Sequence, residues 1–139
     1  MTVDALHALV SGAIWRAEQL DELGLETACL AWMEVSQFEE ELAKVIPSKD
    51  AEGRIARRGA VRAALKARKH VRAQNLIEHY VSERGAPRSL RADFREMVDS
   101  DSKALAEQFP FAARHHKPSD FQSLVSQLLE RGPFSLAAA

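Results

Sequence analysis

Apolar residues recur along this chain at intervals of three and four, the spacing of one face of an α-helix. No stretch alternates with the period of two that a half-buried strand requires. The expected fold class is all-α: a single-domain bundle of about five to six helices, mostly antiparallel hairpins because the breaks between periodic stretches are short. The first stripe runs Leu6, Val10, Ala13, Ala17 and Leu20, with Thr2 placed to cap it and Gly24 placed to stop it. The second is Ala28, Ala31, Val35, Phe38, Leu42 and Ile46, ended by Pro47. Its start, Ala28 to Met33, is apolar nearly all round, which predicts neighbours on more than one side.

Ser48 is the expected cap of the next element, with Asp50 and Glu52 in a first turn where the helix dipole favours acids. Helical pattern then continues to Arg84, with the stripe Ala73, Leu76, Ile77 and Tyr80 in its second half. Gly59 is the weak point, and the pattern leaves one helix or two open over residues 50–84. Gly85-Ala86-Pro87 breaks it. Pro87 or Ser89 opens a further helix carrying Leu90, Phe94 and Met97, and the run Asp99 to Ser102 is expected to interrupt it before Leu105 and Phe109. Residues 110–118 read as a loop. Ser119 and Gln122 form a capping box for a last helix with Leu124, Val125, Leu128 and Leu129 on one face, and Gly132-Pro133 ends that helix. The domain assignment is therefore 1–132, with 133–139 as a flexible tail.

Charge changes the picture. The chain is nearly neutral at −1, yet residues 1–47 hold two cations against nine acids, residues 48–92 twelve against four, and residues 93–139 five against seven. From Gly53 to Ile77 there are eight Lys or Arg and no acid. Such segregation calls for an acidic partner, either another molecule or the chain's own acidic third. The one cysteine, Cys29, excludes an internal disulfide and reads as a packed thiol. No apolar run approaches the roughly 20 residues of a membrane span, and Asp4 stands where a leader would be basic, so a cytoplasmic protein without membrane contact is expected.

Placed at about 100° per residue, Ala56, Ala60, Ala63, Ala64, Ala67 and Val71 share one arc of the basic helix. An alanine stripe lets another helix approach closely and marks the core face. The cations fall opposite, with Val61 and Leu65 in the middle of their arc. An aliphatic centre ringed by arginine resembles a protein interface, and the absence of aromatics from residues 53–77 removes any platform for stacking bases. The expected site is thus a protein-binding face of Arg54, Arg58, Val61, Arg62, Leu65, Lys69 and Arg72 on a non-enzymatic adaptor. Nucleic acid is the rival ligand of the same face, and self-association is open. Burial of Val61 and Leu65 inside the fold would instead leave Arg54, Arg58, Arg62 and Lys69 as a phosphate-binding strip. The bland alternative is that these cations pair with Glu26, Glu34, Glu40 or Glu41 of the second helix or are merely solvated.

Arg72 and His79 are separated by six residues on a helix, Arg72-Ala73-Gln74-Asn75-Leu76-Ile77-Glu78-His79, which loosely resembles the Arg-x(4–6)-His element of the all-α HEPN ribonucleases. The resemblance implies that Arg72 holds phosphate and that His79 acts as acid or base. Ala73 departs from the polar residue usual after that arginine. Ala73, Ile77 and Pro87 in helical hairpins are also similar to tetratricopeptide repeats, although no period of 34 residues and no Trp-Leu-Gly-Tyr pattern occurs. Trp15 and Trp32 are expected in the core. His115 and His116 adjoin without a further ligand at metal spacing, so neither metal nor cofactor is expected.

Overall fold

Helix ends in this chain are set by local chemistry, and where that chemistry is unambiguous the helices stop as their caps dictate. A computed structural model describes residues 1–110, of which 81% are helical, with no strand among them. The elements are α1 (Val3–Glu22), α2 (Ala28–Val45), α3 (Ala51–Lys66), α4 (His70–Ser82) and α5 (Arg88–Gln108). The loop, capping box and last helix expected after residue 110, and the 132/133 boundary, lie outside the described residues.

Thr2 caps α1 by accepting a hydrogen bond from the Ala5 amide at 3.1 Å. Gly24 takes φ +67°, and the amides of Gly24 and Leu25 donate to the carbonyls of Asp21 and Leu20, closing the helix in a Schellman turn. The same turn separates α3 from α4, but with an arginine in the left-handed position. Arg68 has φ +62°, its amide donates to Leu65 and that of Lys69 donates to Ala64. The basic stretch is therefore two helices, broken at 67–69 and not at Gly59. One consequence is that Val71 leaves the alanine arc and is exposed.

Two further expectations are corrected. Ser48 does not cap α3; Asp50 occupies that position, and Ser48 is buried in the turn before it. The run Asp99 to Ser102 does not interrupt α5, because Asp101 meets His70 of α4 at 2.7 Å across the interface and so does not compete for its own backbone.

Contacts between neighbouring helices pair positions whose numbers rise on one helix as they fall on the other, the signature of antiparallel packing. Arg16 bonds Glu34 and Asp21 bonds Trp32 between α1 and α2; Ser36 bonds Ala60 and Ala43 bonds Arg57 between α2 and α3. His70 with Asp101 and Tyr80 with Phe94 do the same for α4 and α5. By contrast, Arg58 meets Asp93 and Arg68 meets Gln108, so α5 runs alongside α3 in the same direction. Two cores result. A small, alanine-rich one joins α1, α2 and α3 around Trp32, and a larger one centred on Val61, Leu90 and Phe94 joins all five helices. Of the two tryptophans expected inside, only Trp32 is buried; Trp15 is 65% exposed.

The buried Arg57 fastens three helices. Its Nε and one Nη donate to both carboxylate oxygens of Glu83 at 2.8 and 3.0 Å, and its remaining protons go to the carbonyls of Ile46, Gly53 and Ala43 at 2.8–3.0 Å. The guanidinium also lies 5.5 Å from the centre of the Tyr80 ring. Removing one member of such a buried pair leaves the other charge uncompensated, so Arg57→Gln is expected to lose about 3–5 kcal/mol in chemical denaturation. A Cβ on Gly53 would strike the carbonyl of Pro47, which is backbone and cannot swing aside. Gly→Ala usually helps a helix by up to ~1 kcal/mol. Here Gly53→Ala is expected to lower the melting temperature.

Candidate functional site

Helix α3 buries about half its circumference. Its alanine side, Ala56, Ala60, Ala63, Ala64 and Ala67, faces the core as its spacing predicts. The adjoining side, expected to be the exposed centre of a binding face, is core as well: Val61 is 0% and Leu65 4% exposed, packed in one cluster with Leu90 and Phe94. The reason is the parallel approach of α5, which covers that flank. Val61 and Leu65 are therefore not surface anchors, and the cationic arc is split by the protein's own core.

The fold then divides the cations. Arg57 is buried. Arg72 donates to Ser36 Oγ and to Glu40 Oε1, both at 3.1 Å, and Ser36 passes its own proton to the Ala60 carbonyl. Lys66 places its ammonium 4.3 Å from the centre of the Trp32 ring, and Arg68 bonds Gln108. Of the acids named as partners on the second helix, Glu40 takes Arg72, whereas Glu34 takes Arg16 and Glu41 takes Lys44. Arg54, Arg62 and Lys69 form no ion pair with any described residue.

Between α3 and α5 lies a cleft of about 410 Å³. Arg58, Arg62 and Lys66 line it from α3, Asp93, Glu96 and Asp101 line it from α5, and Leu65 and Met97 are its apolar members. The two walls touch only loosely, Arg58 Nε standing 3.7 Å from Asp93 Oδ2. That Nε is hidden from solvent and has no hydrogen-bond partner. Of the expected site residues, the structure thus gathers Arg58, Arg62 and Leu65 here. Arg54, Val61, Lys69 and Arg72 do not line the cleft. Its acidic wall escaped the sequence pattern, although the spacing of Asp93 and Glu96, three residues apart on one helix face, was the available signal. A second cationic row, Arg88, Arg91 and Arg95, is exposed on another flank of α5.

Arg72 and His79, the pair similar to a ribonuclease element, are differently placed. Arg72 is neutralised by Glu40, while His79 is exposed with its ring 5.6 Å from that of Tyr80. Compared with protein-family models, with curated proteins and with solved structures, the chain matches none.

One titratable group lies inside the helix pair that carries the cationic wall. The Glu39 carboxyl of α2 rests against Gly59 of α3 so closely that a Cβ there would collide with it. Burial pushes its pKa from 4.5 up to about 7, against the smaller opposing pull of Arg62. A raised acid pKa means that the folded state holds the proton more tightly, so this group costs stability as pH rises from 4.5 to about 7 and no further above that. Glu39→Gln removes that cost. The variant is expected to gain stability over the parent by about 3 kcal/mol at pH 8 and little at pH 4.5, read from paired denaturation curves.

Proposed function

We propose that the protein is a non-enzymatic helical adaptor of the cytoplasm that takes a segment of a protein partner into the α3–α5 cleft. The observation that carries this is the meeting of opposite charges across an apolar floor: cations on α3, carboxylates on α5, with Leu65 and Met97 between them. A polypeptide can answer both walls, presenting acids to α3 and bases to α5. A phosphate backbone cannot, because each phosphate drawn to Arg58 or Arg62 would also meet Asp93 and Glu96. Burial of the two aliphatics would by itself favour a phosphate strip on α3; the facing carboxylates weigh against it.

The test is a photocrosslinker, benzoylphenylalanine in place of Arg62, in the cells from which the chain comes. A crosslink to a discrete protein is expected, resistant to nuclease and lost when Glu96→Lys is added. A crosslink to a second copy would make the chain its own partner. With the captured partner purified, Arg58→Glu and Glu96→Lys are each expected to weaken binding on the order of tenfold, chiefly through the association rate. A crosslink that nuclease abolishes would transfer the assignment to nucleic acid bound on the cations. No crosslinked protein, or one indifferent to Glu96→Lys, would overturn it.

A further inference from the structure

A second cleft, of about 440 Å³, lies between the C-terminal ends of α2 and α4 and the turn that leads into α3. It shares no lining residue with the α3–α5 cleft, so its assignment stands apart from the adaptor proposal. Its apolar part comes from Ala43, Val45, Ile46 and Pro47. Two of its side chains, Tyr80 and Ser48, are 3% and 5% exposed, and the hydroxyl of each lacks a hydrogen-bond partner among the described residues. Buried polar groups are nearly always satisfied, and two orphans on one cleft mark the place where a partner belongs. Burial, with the Glu40 carboxylate adding to it, holds the Tyr80 phenol protonated far above its ordinary range, so it is a donor at any physiological pH.

Charge selects the ligand. Among the ionised groups that line the cleft, Glu40 is taken by Arg72, Glu83 by Arg57 and Lys44 by Glu41. Arg57 has donated every proton it has. Arg84 remains, exposed and in no ion pair with a described residue, with the exposed His79 as the other basic group of the cleft. The volume falls within the range of small-molecule sites, roughly 300–1,000 Å³.

We propose that this cleft binds a small organic anion, a carboxylate or phosphate ester on an apolar body of about one ring, with Arg84 holding the anionic group and Tyr80 and Ser48 hydrogen-bonding its polar edge. Both hydroxyls lie beneath the surface, so the ligand reaches them by displacing the His79 ring that rests against Tyr80.

Amide-resolved NMR of the full chain, titrated with benzoate, phenyl phosphate and uncharged benzamide, tests this. At least one of the two anions is expected to give saturable shifts centred on Ser48, His79 and Tyr80, and benzamide none. Arg84→Gln is expected to weaken that binding on the order of tenfold, the loss of one charged contact. Tyr80→Phe and Ser48→Ala are expected to weaken it less, and either serves if the other fails to fold. Absence of saturable shifts up to ~10 mM of both anions, the limit of useful fragment affinity, would overturn the proposal. So would binding indifferent to Arg84→Gln; either result leaves the two hydroxyls to ordered water.

Discussion

The described fold depends on one guanidinium. A helix that ends in the interior leaves carbonyls without donors, and α2 ends where α3 and α4 close over it. Arg57 answers the Ala43 and Ile46 carbonyls from a neighbouring helix, gives one proton to Gly53 of its own helix and turns the other two on Glu83 at the end of α4. Its planar fork serves three helices at once because its protons are fixed in direction, a geometry that a lysine's point charge cannot reproduce. Tyr80 and Phe94 stack beside it, so the polar knot and the large core are one construction.

Local chemistry was readable from the chain. Thr2, Gly24, Pro47 and the Gly85 to Pro87 break each act within a few residues, and each ends or begins a helix where its side chain or ring demands. What could not be read depended on partners far along the chain. Nothing in the run of arginines distinguishes Arg57, which is buried, from Arg62, which is not; the difference is the α2 terminus and Glu83, 26 residues away. Arg68 in a left-handed turn runs against residue preference and is held there by the Schellman bonds and Gln108. Asp101 looked like a helix breaker until His70 gave its carboxylate a partner. The candidate site was half legible: its cations stood out in the charge pattern, while the carboxylates opposite them became a wall only once α5 lay beside α3.

The segregation of charge along the chain is therefore in part an internal device. An acidic α2 meets Arg72 of α4 at Glu40, and an acidic run on α5 meets Arg58 of the basic α3. These exposed and half-exposed pairs add little stability singly. They join elements of opposite charge side by side, α4 to α2 and α3 to α5. What remains unpaired, Arg62 and Glu96 above all, lies where two such faces part.

Helix α1 stands apart in this architecture. Its backbone comes close to that of α2 alone, and it meets the other helices only through core side chains, whereas α3, α4 and α5 all pack on one another. Opening α1 exposes its alanine seam and withdraws Leu6 and Val10 from the large core, whereas opening any helix of the C-terminal trio breaks the Arg57 knot or the Phe94 centre of that core. The connections are thus graded: a three-helix unit with α2 latched to it, and a first helix whose closest packing is on α2 and which reaches the large core through Leu6 and Val10. Trp15, exposed on that helix, and Trp32, buried and bonded to Asp21 across the α1–α2 seam, stand in opposite surroundings, so only Trp32 would change its environment sharply if α1 loosened.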